Sequence, residues 1–211
     1  GGLVAWGSLA EAVFTLALTF TPLGYGVGGN KNWLNLGGEN SMLRLQPAEF
    51  AKLAIVIWGA AVLSTKRKLL GSVKHVLMPF VVFSMGLIGL VVLQKDLGTA
   101  IILALLMLGM LWCAGSPLRV IGMLVALFGA GTAALVYFEP SRMARILGFL
   151  DPTSDPSGIN HQPMRALYGL ATGGWLRVGL GAGRQKWGAL SEAHTDYILA
   201  VIGEELGLLG T

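Results

Sequence analysis

The stretch SEAHTD, residues 191–196, ends in an aspartate, and hydrocarbon follows at once as Tyr-Ile-Leu-Ala-Val-Ile over 197–202. A carboxylate at such a water–lipid boundary suits general-base chemistry on an alcohol, so Asp196 is the catalytic candidate. Partial desolvation there would raise its pKa toward a working range. His194 could orient the acid or touch a phosphate, although a lone histidine beside an acid is more often a hydrogen-bond partner. Upstream lie Arg142 and Arg145, three apart and on one face if helical, and then Lys186. Guanidinium forks fit a diphosphate by geometry. The same cluster could hold lipid headgroups without specificity. The functional reading of this basic cluster is a receptor for a diphosphate. A divalent ion could share the cationic task, but Asp196 and Glu192 are not a ligand set on their own, so no cofactor is required.

A second set of charges falls inside apolar segments. Glu11 is in the first, Glu49 and Lys52 are three apart in QPAEFAKL, Asp96 ends the third, and Glu204 and Glu205 follow Asp196. Ionisable groups in such places are expensive and face a partner or a wet cavity. Structural pairing is the simpler reading for Glu11 and Glu205. For Glu49, Lys52 and Glu204, pairing and cavity lining stand open, with Lys52 the partner of either Glu49 or Glu204.

The elements that must position these residues are apolar helices. Of 211 residues, 54% are hydrophobic and 12% charged, against about 25% charged in soluble domains; mean hydropathy is +0.68. Lipid is therefore the main solvent, and the net charge of +4 reflects orientation signals and not a nucleic-acid surface. The single cysteine, Cys113, excludes an intrachain disulfide. A span takes about 20 apolar residues, which gives complete candidates at about 3–24, 47–65, 76–94, 97–115 and 118–138. A sixth starts at 197. No short alternating strands are visible, so the expectation is an all-α, polytopic transmembrane bundle, a single membrane domain over 1–211. Many glycines, 31 in all, suit close helix packing in lipid. The chain opens on Gly1 and stops at Thr211 within an apolar stretch, so both ends read as internal.

Basic turns set the orientation. Lys66, Arg67, Lys68 and Lys74 crowd one turn and Arg119 marks another, which assigns both to the cytoplasm. Loops 25–46, 94–99 and 139–196 then face outside, and Asp196 with them. The 139–196 loop carries too much apolar surface for a solvated linker. ARILGFL and MRALYGLATGG read as two short helices on the membrane surface, followed by the glycine-rich GLGAGRQKWG. No strand precedes those glycines, so a dinucleotide loop is rejected.

The segments GGNKNWLNLGG, LQPAEFAKL, QKDLGTA, EPSRMARILGFLDPTSDPSGINHQ and GLGAGRQKWGALSEAHTDYILAVIGEELGLLG occur in this order. Together they resemble the SEDS family of polytopic membrane proteins (FtsW, RodA, SpoVE) over essentially the whole chain. The wording of the last segment is nearer the cell-division branch, FtsW, than the elongation branch. The family has ten spans, so the chain would correspond to the third through the start of the eighth. The resemblance implies a peptidoglycan glycosyltransferase that polymerises lipid II on the outer face of the bacterial cytoplasmic membrane. It further implies lipid-linked glycan as co-substrate, a class B penicillin-binding protein as partner, and other divisome membrane proteins nearby. The family's essential acid falls on Asp196, its loop tryptophan on Trp33, and its Gln-Pro-x-Glu and lysine on Gln46, Pro47, Glu49 and Lys52. Its Asp-Leu-Gly-Thr falls on Asp96 to Thr99, its loop arginines on Arg142 and Arg145, and a substrate contact on Gln162. Departures are Asn32 for the arginine before the tryptophan, Gln94-Lys95-Asp96 for Gln-Pro-Asp, His161-Gln162 for Tyr-Gln, and Ser191-Glu192 for Pro-Glu.

Two rival readings come from other classes. A lipid II flippase could use Glu49, Lys52, Asp96 and Glu204 along a path, but a secondary transporter typically shows repeat symmetry, and none is found among these spans. A non-catalytic divisome scaffold would need only the exposed apolar faces.

Overall fold

The computed structural model describes residues 2–27, 30–35, 44–66, 77–151, 158, 160–175, 179–187, 190 and 193–211. Of the turn read as a cytoplasmic signal, Arg67, Lys68 and Lys74 lie outside these residues, as do Ser191 and Glu192 beside Asp196. The chain forms two compact units, Gly1–Thr132 and Ala133–Thr211.

In the first unit, α1 (Gly2–Leu18) is followed by a small antiparallel sheet, β1 (Gly24–Val27), β2 (Asn30–Asn35) and β3 (Arg44–Leu45). Then come α2 (Pro47–Thr65), a π-helical turn (Leu77–Val81) leading into α3 (Val82–Leu93), and α4 (Leu97–Cys113). A fifth helix, α5 (Leu118–Tyr137), runs from this unit into the next. The helices α2 and α5 are long and apolar enough to cross a membrane, while α1 and α4 have 17 residues each. α1 stops at Leu18, short of the 24 expected, because Thr19 and Thr21 turn their hydroxyls back onto the carbonyls of Leu16 and Leu18 and Pro22 cannot continue the ladder.

The sheet is the element that sequence periodicity misses. Its strands hold two to six residues, too few for an alternating pattern to show. Tyr25 faces Trp33 across β1–β2, and Asn35 faces Arg44 across β2–β3. The Arg44 guanidinium rests 4.5 Å from the Tyr25 ring centroid, a cation–π contact that secures the outer strand.

Alanines at helical spacing bring α1 and α2 together. Ala5, Leu9, Ala12 and Leu16 are buried on one helix, and Ala48, Ala51, Ile55 and Trp58 on the other. Small side chains let backbones approach where no water drives association. Trp58 is fully buried, stacks on Phe80 with centroids 5.8 Å apart, and meets Trp6 and Phe83 edge-on. The stacked Phe80 needs Gly59 beneath it, because a Cβ there would lie 2.4 Å from the ring. At the far end of the bundle, buried Gln94 donates to the Thr19 hydroxyl at 2.8 Å and the Leu16 carbonyl at 3.3 Å, closing α1 onto α3. The next residue, Lys95, has φ 64°, a left-handed turn closed to proline, whose ring holds φ near about −65°.

The second unit contains α6 (Pro140–Leu150), α7 (His161–Gly173) and α8 (Ile198–Leu206), with a short 3₁₀ turn Leu208–Gly210. α6 starts on Pro140, whose missing N–H is no loss in a first turn. It ends where Gly148 admits the Asn160 side chain, which donates to the Asp151 carbonyl. Ile146, Leu147, Phe149 and Leu150 remain exposed along it. α7 and α8 meet through small residues, Gly169 and Gly173 against Ala200 and Gly203.

That contact yields a test. A Cβ on Gly173 would sit 1.9 Å from the Gly203 carbonyl oxygen and 2.9 Å from the Glu204 Cα, both backbone atoms that cannot swing aside. Gly173→Ala should therefore destabilise the protein by roughly 1–3 kcal/mol, the usual range for overpacking. Gly122→Ala, on α5 with nothing within 4 Å, should not. Thermal unfolding in detergent compares the two, and a Gly173→Ala protein as stable as the parent would contradict this packing.

Candidate functional site

The residues singled out by chemistry fall into both units, and each group has its own local logic. In the first unit they gather where β2 and the first turn of α4 meet. Asp96 is the N-cap of α4: its Oδ1 accepts the Thr99 N–H at 3.0 Å and its Oδ2 the Thr99 hydroxyl at 2.9 Å. The same Oδ2 accepts the Asn32 side-chain amide at 3.2 Å. A cap oxygen thus also tethers the hairpin. Successive strand residues point to opposite faces, so with Asn32 turned to Asp96, Trp33 is presented on the other face, half-buried. Close by in sequence, α2 begins at Pro47 and packs against β2. In its first turn Glu49, exposed, takes Lys52 in a two-point ion pair, 2.7 and 2.8 Å to its two oxygens. Of the two partners open for Lys52, the structure gives Glu49.

In the second unit, Arg142 and Arg145 both lie on α6. Arg142 is half-buried and donates to the Leu135 carbonyl at 3.3 Å, while Arg145 is exposed. Gln162 is half-buried in the first turn of α7. Lys186 is committed to Glu205, 2.5 Å from its Oε1, with the Trp187 ring centroid 5.5 Å away. His194 and Asp196 occupy the turn that feeds α8, two residues ahead of Ile198 in the case of the acid, and both are exposed. Asp196 takes no hydrogen bond or ion pair among the described residues. The desolvation expected for it is therefore not supplied by burial within the described chain. No three histidine, cysteine or carboxylate side chains converge as a metal site among the described residues.

Glu204 departs most from expectation. It is 1% exposed, and its oxygens accept the backbone N–H groups of Arg184 at 2.8 Å and Gln185 at 3.1 Å. Sequence reasoning missed this role and that of Asn32, which stood out only as a departure from a motif. Asn32 and Asp96 are 64 positions apart, and nothing in local spacing joins them. For Glu204 a faint signal existed, since a buried acid and a glycine-rich loop twenty residues upstream need each other's hydrogen bonds.

Apolar helices packed through alanine and glycine, sparse charges, and a partly helical loop region define a polytopic α-helical membrane protein. Residues 3–211 match the model of the FtsW/RodA/SpoVE cell cycle protein family. The chain belongs to that family. It is 36% identical over 208 residues to the probable peptidoglycan glycosyltransferase FtsW of Mycobacterium tuberculosis, covering 98% of this chain and 39% of that protein. It is 42% identical over 197 residues to the protein of the same name from Nitrosococcus halophilus, covering 93% and 50%. The chain thus spans about half the length or less of these curated relatives. A solved structure described as "Structural coordination of polymerization and crosslinking by a peptidoglycan synthase complex" is similar with a TM-score of 0.65 and 26% identity, over 99% of this chain and 56% of that one. The Thermus thermophilus rod shape determining protein RodA shares the fold, with a TM-score of 0.58, 21% identity and coverage of 99% and 50%.

The Asn32–Asp96 tether is testable by a double-mutant cycle. Asp96→Ala loses both the cap and the tether and should cost about 1–2 kcal/mol. Asn32→Ala should cost roughly 0.5–1.5 kcal/mol alone and almost nothing once Asp96 is gone. Additive losses in thermal unfolding would show that the two side chains do not act together.

Proposed function

We propose that the chain is the base-bearing part of a peptidoglycan glycosyltransferase that extends glycan strands from lipid II during cell division. The observation that carries this reading is Asp196, an exposed, unengaged carboxylate in the turn immediately before α8, in a chain akin to proteins named for that activity.

The reaction asks three things of the protein. A carboxylate must take the proton from the acceptor 4-hydroxyl as its oxygen attacks the anomeric carbon; Asp196 does this. The bond from that carbon to the diphosphate oxygen breaks, and polyprenyl diphosphate departs with the electron pair. A diphosphate leaves without protonation, so one acid suffices where glycoside hydrolases use two. Cations must meet the departing charge, a task for Arg142 and Arg145 on their shared helix and for Lys186 once it exchanges Glu205 for phosphate. A single displacement inverts the anomeric centre. Both substrates carry polyprenyl tails, so a membrane-edge site aligns them in two dimensions. In this account Asp196 faces the outer side of the cytoplasmic membrane. The partner is a class B penicillin-binding protein that cross-links the strands, alongside other membrane proteins of the division complex. Similarity to a peptidoglycan synthase complex that joins polymerisation to cross-linking supports that pairing.

Asp196→Asn keeps the size and polarity of the side chain and removes the base. In the full-length protein with its partner, polymerisation of labelled lipid II should fall at least ~10²-fold, in line with loss of a general base, while the protein remains folded. Glycan chains made at the normal rate by the asparagine variant would remove Asp196 from this role.

A further inference from the structure

The glycine-rich segment 179–187 and the two adjacent acids of α8 solve each other's hydrogen-bonding problem. Glu204 accepts the N–H groups of Arg184 and Gln185, one on each carboxylate oxygen. Glu205 accepts the Gly181 N–H at 3.1 Å on Oε2 and the Lys186 ammonium on Oε1, and its backbone carbonyl takes the Gly179 N–H at 3.3 Å. Among the described residues no cation pairs with Glu204, and its described partners are backbone N–H groups. A charge so placed is expensive unless its acceptor sites are filled. Only an ionised carboxylate offers two acceptors and no donor to two successive N–H groups.

The glycines are the other half of the fit. Gly179 and Gly181 take φ values of 123° and 81°, which turn the segment inward. Gly183 lies against the acids, where a Cβ would meet the Glu204 Oε2 at 3.0 Å and the Glu205 Cγ at 3.1 Å. The amides of Gly181, Arg184 and Gln185 are occupied by internal carboxylates, and those of Gly179, Ala182 and Trp187 by backbone carbonyls. It is therefore not a phosphate cradle.

The chain leaves this anchored segment and returns to the same helix at its N-terminus, with Asp196 just before Ile198. Glu204 stands six residues further along, about 9 Å by helical rise. One helix therefore holds both ends of the loop. We propose that Glu204, seconded by Glu205, is a positioning residue: its carboxylate clamps segment 179–187 onto α8 and so fixes Lys186 and the loop that delivers Asp196. The clamp is a matter of geometry, while the purpose assigned to it rests on the glycosyltransferase reading.

The test uses the full-length protein with its partner in lipid nanodiscs, followed by hydrogen exchange of peptides covering 179–187 and by kinetics on labelled lipid II. In Glu204→Gln an NH₂ group replaces one acceptor and faces a backbone N–H. Exchange across 179–187 should speed up at least tenfold, kcat should fall at least tenfold, and KM should stay within twofold. Gly183→Ala retains both acids but pushes their carboxylates back by a few tenths of an ångström, and should move exchange and kcat in the same directions by a smaller factor, at least twofold in each; it decides the matter if Glu204→Gln does not fold. Glu205→Gln, which keeps both Glu204 bonds, should show a smaller change in exchange. Faster exchange with kcat unchanged, or exchange at the parent rate in both Glu204→Gln and Gly183→Ala, overturns the proposal. A fall in kcat matched by slower substrate capture, with KM rising in step, would assign Glu204 to general structure instead. Asp196→Asn separates the two ideas: it should leave exchange of 179–187 at the parent rate, and full polymerisation by it would defeat the base assignment while leaving the clamp intact.

Discussion

Backbone donors and acceptors near hydrocarbon must find partners inside the protein, and this constraint organises the chain more than any single packing contact. With so few polar residues available, one side chain often serves several groups. Asp96 caps α4 and accepts Asn32. Glu204 takes two loop amides. Gln94 reaches across to Thr19 and to the Leu16 carbonyl. Threonine hydroxyls return to carbonyls a turn earlier in α1. Where water would supply these bonds on a soluble protein, here the side chains that supply them also fix which segments lie together.

The consequence for function is a division of labour among the acids. Glu49 pairs with Lys52, Glu205 with Lys186, Asp96 is a cap and Glu204 a clamp. Asp196 is exposed and unengaged among the described residues, and so is Glu11, midway along α1, for which the expected structural pairing is not found there. In the proposed reading Asp196 is the acid that takes the proton, and Glu204 acts by holding the segment upstream of it. In the same reading, Lys186 is a leaving-group cation that already has a partner. Lys186 rests on Glu205 and can be drawn away only by an anion that offers more.

The helices were legible because their signal is dense. Apolar runs at 47–65, 97–115 and 118–138 correspond to helices Pro47–Thr65, Leu97–Cys113 and Leu118–Tyr137, and Pro47 marked where one of them begins. The short sheet was not legible, since strands of this length carry no period and their pairing is a long-range event. The end of α1 was misjudged for a related reason: Thr19 and Phe20 are as compatible with continuing a helix as with a turn, and Pro22 acts only beyond them. Of the candidate site, charge within or beside apolar segments picked out Asp196, Asp96, Glu49 and Lys52, with Glu49 among the two partners offered for Lys52. It was silent on what Asp96 touches.

Sequence alone determined that lipid is the main solvent, that the backbone must be helical across it, and that a lone acid stands at one helix's threshold. These follow from composition and local order, which fix solvent preference and hydrogen-bond periodicity without reference to distant residues. Only the tertiary structure decided which acids are occupied and which are left open. That choice depends on amides and side chains brought together from far along the chain, Asn32 to Asp96 and Arg184 to Glu204, and no local pattern records the distance between them.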